Sequence, residues 1–407
     1  MTSEPAVQRS TPTLHQIFDV PLEVLAADPY ALYRKLRSEA PLYHDEASGS
    51  WVVTGYAEIS AMLRDPRFVA ERPLFPEPEL AALQPILERW MALQDPPEHT
   101  RLRQCFNRFF TPRRIADLGP KIAELAARLL DKAEARGSIE LIQDLAFPLP
   151  VSVIAMILGV PEERQADLKR WSAALAYLSE PPGVASYEHL LETRAAAVEF
   201  ADYLKELVAE KRRAPGDDLL SVLSSGERPG ERLKEEDLIA NAILLLFAGH
   251  ETAVNLIGNG VYTLLRHPEQ LSALRATPTL IKSAVEECLR FESPIQTTTR
   301  EVAEELTWGE HRMGRGEVVL LVLGAANRDP RQFPDPDRFD IARTENRHLA
   351  FGGGAHFCIG AALSRLEAHL AVPELLRRMP RLRLVEDAPD WHLWESWRSL
   401  TRLPLAF

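Results

Sequence analysis

The segment Phe351-Gly-Gly-Gly-Ala-His-Phe-Cys358-Ile-Gly360 combines residue types that could do chemistry. Three consecutive glycines allow a tight loop with backbone angles closed to other residues. The loop delivers one cysteine just ahead of a helical stretch that starts at Ala361. Amides at a helix start can donate to sulfur and favour its thiolate, so Cys358 could ligate a metal or act as a nucleophile. A buried structural cysteine behind a glycine turn is the plain alternative. Two other motifs fail here. A phosphate loop needs the lysine of GxxxxGK[S/T], and a dinucleotide loop needs glycine at the sixth position, where Phe357 stands.

Three further groups could carry function. Ala248-Gly249-His250-Glu251-Thr252 follows the apolar run Ala242–Phe247, so ionisable groups fall in mid-helix, where they are costly without a task or partner. Thr252 can bond back to the preceding turn and bend the helix. Glu287 and Arg290, three apart, share a helix face and can pair; alone, such a pair is usually a surface contact. Asp95-Pro-Pro-Glu-His99-Thr-Arg-Leu-Arg103 reads as a capped helix start, with Asp95 as N-cap. Its His99 and Arg103 then lie on one face that suits an anion.

The elements that must position these groups are mostly helices. Apolar residues recur at helical spacing over Arg113–Arg136, Val184–Arg213, Glu235–Arg266, Pro278–Arg290 and Ala361–Arg378. Strand-like pieces are short: Trp51–Thr54, Glu317–Leu323 and Leu403–Phe407. The 31 prolines punctuate the helices. No repeat or long linker divides the 407 residues, so the spacing predicts one mainly α domain with a small β portion over 1–407, with 1–20 as a flexible N-terminal segment. The segment Glu235–Arg266 stands out: Glu235, Glu236 and Asp237 crowd its first turn, where carboxylates meet the positive end of the dipole, and Pro268 lies just past its end.

Composition narrows the function. A net charge of −12 speaks against a nucleic-acid binder. The cysteines, Cys105, Cys288 and Cys358, are few, odd in number and far apart, which excludes a disulfide scaffold and fits a reducing compartment. The N-terminus lacks a signal-peptide core and no apolar run spans a bilayer. The expectation is a cytoplasmic protein with no nucleic-acid or membrane partner.

Taken in order, the motifs resemble the cytochrome P-450 superfamily of haem-thiolate monooxygenases, in its soluble bacterial form. Phe351-Gly-x-Gly354-x-His356-x-Cys358-x-Gly360 is similar to the family's haem-binding signature at every fixed position. Ala248-Gly249-x-Glu251-Thr252 is similar to its oxygen-activation motif, and Glu287-x-x-Arg290 to its second hallmark. Asn327-Arg-Asp-Pro and Phe333-Pro-Asp-Pro-Asp-Arg338-Phe339 resemble the stretch before the haem loop. The resemblance implies the P-450 fold, with haem b (iron protoporphyrin IX) buried between a long central helix and the cysteine loop. Cys358 would be the axial thiolate, which favours cleavage of the O–O bond. Phe351, Gly352 and Gly360 would shape the loop around the cofactor. His99, Arg103, Arg300 and His356 would bind the haem propionates. Ala248 and Gly249 would leave room for dioxygen, Thr252 would hydrogen-bond during its activation, and Glu251 would relay protons. Glu287, Arg290 and Arg338 would form a structural charge cluster.

The resemblance further implies that one atom of O2 is inserted into a lipophilic small organic substrate. No flavin or dinucleotide motif is present, so electrons would come from a separate ferredoxin and its reductase. Arg101, Arg103, Arg108, Arg113 and Arg114 form a local basic stretch that could steer an acidic donor. A peroxide-driven peroxygenase and a non-enzymatic haem sensor or carrier are the alternatives; the Glu251–Thr252 pair disfavours both. Specificity would fall to an apolar pocket of Leu74, Phe75, Leu83, Ile86, Met91, Leu244, Leu245, Ile295 and Trp397.

Overall fold

The computed structural model describes residues 13–70, 78–179, 186–225, 233–386, 388–393 and 396–407. Most of them are helical. The long helix runs Glu235–Arg266, as its first-turn carboxylates and Pro268 indicate. Its 32 residues span about 48 Å. Lys234 occupies the N-cap without a side-chain cap bond, so the dipole's positive end is met by the acidic first turn instead. Among the described residues this is the one helix apolar and long enough to cross a membrane, yet 78% of its most apolar window is buried within the protein. It is the central core helix, packed against the helices Pro148–Leu158, Ala361–Arg378, Tyr187–Arg213 and Ile281–Phe291.

The β portion lies to one side. A five-stranded sheet has the order Leu42–Asp45, Ser50–Val53, Val318–Val322, Thr297–Val302, Phe68–Val69. The Ser50–Val53 and Val318–Val322 pair is parallel, and the other pairs are antiparallel. Arg300 sits opposite Val319 in this sheet, and its side chain is buried. Pro404–Ala406 pairs with Ile139–Glu140 and Arg383–Leu384, so the tail is sewn into the body.

Two boundaries differ from the sequence reading. Residues 1–12 lie outside the described residues, but Leu14–Phe18 forms a helix with a Thr13–Gln16 capping box, and Leu14 is buried. The docked apolar face, not the polar composition upstream, decides its order. Asp95 does not cap the His99 helix, Glu98–Asn107, whose N-cap is Pro97. Its carboxylate instead accepts from Ala70 N at 3.0 Å.

Candidate functional site

Between the central helix and the cysteine loop lies a cavity of about 340 Å³. Met91, Leu244, Leu245, Ile295 and Trp397 line it, with Leu256, Leu289, Leu323 and Ile359 adding to the apolar wall. Cys358 and Phe351 form its floor, Ala248 and Thr252 face them from the central helix, and His99, Arg103, Arg300 and His356 gather at one edge.

The cysteine loop is set by its own backbone. Cys358 N donates to Phe351 O at 3.0 Å, closing the loop. Gly352 and Gly354 take positive φ of 68° and 65°. At Gly354 a Cβ would also meet Leu63 O at 2.0 Å, so only glycine fits. Burial pushes the Cys358 thiol up; amides of Gly360 and Ala361 and the Arg103 and Arg365 cations pull the other way. Arg365 sits 4.4 Å over the Phe351 ring and holds Glu286 with two bonds of 2.7 and 2.8 Å. His348 reaches the same carboxylate at 3.1 Å. Burial raises the Glu286 pKa, but bonds from Arg365 and His348 prevail and hold it at about 2.

The polar edge pairs two imidazoles with two guanidinium groups. The His99 and His356 rings lie 4.1 Å apart. His99 Nδ1 and His356 Nε2 are buried without a hydrogen-bond partner, although His356 Nε2 is 3.5 Å from Asp95 Oδ1. Burial, His99 and Arg300 depress the His356 pKa to about 4. Arg103 bonds Phe357 O and Asn107 Oδ1, and Arg300 donates to Thr299 O at 2.7 Å. The orphaned His99 nitrogen, the His356 imidazole and two guanidinium groups at the rim of an apolar cavity fit the carboxylates of a flat hydrophobic cofactor. Among the described residues no group of three His, Cys, Asp or Glu could hold a bare ion. A metal here would bring its other ligands with it.

On the central helix the motif residues diverge. Thr252 faces the cavity, and its Oγ1 donates to Ala248 O at 3.1 Å. Gly249 does not line the cavity; a Cβ there would lie 2.9 Å from Ile154 Cδ1, so glycine lets the two helices approach. Glu251 also points elsewhere. His250 Nε2 lies 3.0 Å from Glu251 Oε1, and His250 Nδ1 bonds Ser172 Oγ at 2.6 Å. Burial would raise the Glu251 pKa, but His250 and His392 outweigh it and keep the carboxyl below its ordinary value.

Behind the loop, Arg290 grips both Glu287 oxygens at 2.8 Å and bonds the carbonyls of Asn327, Pro336 and Arg338. The second guanidinium on Glu287 belongs to Arg343, at 3.2 Å. Arg338 gives the cluster only its carbonyl; its side chain is exposed and pairs with Asp340. The proline-rich path before the loop decides which arginine turns inward, and spacing does not reveal it.

Other placements also differ from the sequence reading. Leu83 is buried and Ile86 half-buried in the main core, and neither lines the cavity. Leu74 and Phe75 lie outside the described residues. Gly360 touches the site through Cys358: its Cβ position is 3.9 Å from the sulfur. Arg101 is spent on Glu98 and Asp237 and is no free surface cation. Arg113 and Arg114 are exposed, with Arg114 bonded to Asp217 O at 3.3 Å. Thr298 lines the cavity with Arg300, and strand alternation could have revealed it.

A family profile described as cytochrome P450 matches residues 45–382. Cytochrome P450 107B1 of Saccharopolyspora erythraea is 42% identical over 94% of this chain and 96% of that protein. The biotin biosynthesis cytochrome P450 of Bacillus subtilis is 43% identical over 93% of this chain and 96% of its own length. The solved structure of P450BioI in complex with acyl carrier protein ligated to hexadec-9Z-enoic acid superposes with a TM-score of 0.89, at 42% identity, covering 95% of this chain and 100% of that one.

Proposed function

The chain belongs to the cytochrome P450 family of haem-iron monooxygenases, and from that premise we propose that it inserts one atom of O2 into a lipophilic small organic substrate, with electrons from a separate ferredoxin and its reductase. One observation carries the reading: a thiol, two guanidinium and two imidazole groups and a helix threonine converge on one apolar cavity.

Haem b supplies, when bound, the iron chemistry that splits O2. Cys358 would give its thiolate to that iron, and the Gly360 and Ala361 amides would temper the sulfur's charge. His99, Arg103, Arg300 and His356 would hold the propionates. Thr252 would present its hydroxyl over the reacting centre and direct a proton there. Glu251 would supply protons from behind Thr252, on the side of His250. Ala248 would leave space beside Thr252, and the aliphatic wall would orient substrate and exclude water. Phe351 and Gly352 would cradle the sulfur side. Glu287, Arg290 and Arg343 would keep the loop in register without touching the chemistry.

The acid–alcohol pair Glu251–Thr252 favours O2-driven turnover over a peroxygenase or a haem sensor. The exposed Phe357 lies beside Arg103 on the cysteine side. With Arg108 and Arg113 it would offer a mixed apolar and cationic face to the electron donor. The protein would act in the cytoplasm.

The decisive experiment is the difference spectrum of reduced holoprotein with CO. A strongly red-shifted Soret band is expected, lost in Cys358→His even where haem is retained. Turnover should follow O2 with ferredoxin and reductase. A Soret band unaffected by Cys358→His, or turnover driven by peroxide but absent with O2, ferredoxin and reductase, would overturn the reading.

A further inference from the structure

Asn241 is an amide inside the aliphatic run of the central helix, and it is fully buried. Such a group costs free energy unless its bonds are made. Its Oδ1 accepts from Met91 N at 2.8 Å, and its Nδ2 donates to Arg89 O at 2.9 Å and to Asp237 O at 2.8 Å. One turn earlier, the buried Asp237 carboxylate takes Arg89 at 2.7 Å and Arg101 at 2.9 Å. The Trp90 ring stacks on Phe247 of the same helix at 5.2 Å. The segment 89–92 has little structure of its own beyond the single turn Met91–Leu93. It hangs from the central helix by its main chain. Met91 and Ala92, which form the cavity roof, follow from that attachment.

We infer that Asn241 is a specificity-determining positioning residue: its amide fixes how far Met91 and Ala92 reach over the cavity. The inference rests on haem occupying that cavity, as proposed above. A residue that only filled space could be replaced by any side chain of its volume. The bonds to Met91 N and Arg89 O need an acceptor and a donor at one point, which asparagine supplies and leucine of similar size does not. Arg101 ties the same point to the helix that carries His99 and Arg103. The roof and the cationic edge therefore share one anchor.

Imidazole and 4-phenylimidazole, titrated into holoprotein and read by the Soret shift, test this. Imidazole is small enough to ignore the roof, whereas 4-phenylimidazole must fit beneath it. In Asn241→Leu the ratio of the two affinities should change by about fivefold or more, the equilibrium worth of one net hydrogen bond. The CO spectrum should stay that of the wild type. An unchanged ratio would overturn the inference. A second measurement needs no variant: amide hydrogen exchange in the wild-type holoprotein should find Met91 N–H strongly protected. Exchange as fast as in open loops would overturn the inference, and that rate decides alone if Asn241→Leu holds no haem. If neither azole shifts the Soret band of the wild type, the haem reading fails instead.

Discussion

Behind the cysteine loop, acids meet side-chain partners directly, the buried Glu287 with Arg290 and Arg343 and the half-buried Glu286 with Arg365 and His348. At the roof of the cavity one buried acid, Asp237, also takes two guanidinium groups, but the groups next to the cavity are held differently: Asn241 binds the main chain of residues 89 and 91. The first arrangement fixes the identity of residues at both ends of each contact, because a buried carboxylate deprived of its guanidinium is worse than no pair at all. The second fixes only the path of the chain. Met91 and Ala92 can change without disturbing what holds them, so the roof can be re-cut for another substrate while the cysteine side stays constant. One side secures the chemistry, and the other leaves room for specificity.

The most direct way to break this comparison is to remove one buried charge. Glu287→Ala leaves Arg290 and Arg343 without their carboxylate, at a cost of about 3–5 kcal/mol. Little or no haem-loaded protein is expected, measured as haem absorbance per unit of purified protein. A fully loaded variant would show that the cysteine side tolerates change as the roof does.

Thr252→Ala probes the wall between the two regions. Haem content and the CO spectrum should not change. Product formed per O2 consumed should fall by at least about tenfold, a modest part of what positioned proton transfer contributes, with peroxide accumulating. Unchanged coupling would remove Thr252 from proton delivery.

The smallest effect sharpens the contrast with a buried acid that has no charge partner. Glu367, on the helix after the cysteine, is fully buried with Oε1 unpartnered, and burial pushes its pKa up to about 8. Below its ordinary value of 4.5 the carboxyl is neutral folded or unfolded, and its stability contribution is complete. As pH rises toward 8 only the unfolded chain ionises, so that contribution is lost. Glu367→Gln should therefore melt above the wild type by a margin that grows between these values. The gain should reach about 2 °C, because the amide is buried too. A margin independent of pH would place an unseen partner on Glu367.

These contrasts also explain what the sequence revealed. The central helix was legible to the residue, because acidic residues at one end and proline past the other are local signals. The cysteine loop was legible because its glycines and cysteine stand together. The roof clasp was half legible: Asn241 in an aliphatic run demands partners, but nothing local says that Met91 N and Arg89 O are those partners. Arg343 was missed in favour of Arg338 because both follow a run of prolines and only the folded path separates them. Gly249 carried a motif role in the sequence, and its missing side chain proves to serve contact with Ile154. Leu83 and Ile86 show the same limit, since apolar residues near a pocket in sequence can still belong to the core.

The fit of Gly354 under the Leu63 carbonyl has a consequence for how the molecule is made. The two residues lie far apart in the sequence, and the Arg103–Phe357 contact likewise spans 254 positions. Closing such loops costs entropy that rises slowly with length, and it requires both partners to exist. A ribosome delivers the Leu63 segment well before the cysteine loop. The earlier segment must then wait, with its contact surface uncovered, until the cysteine loop has been made. The cysteine loop can therefore close against Leu63 only once both segments exist, and until then the earlier one is an uncovered surface of the kind that favours aggregation.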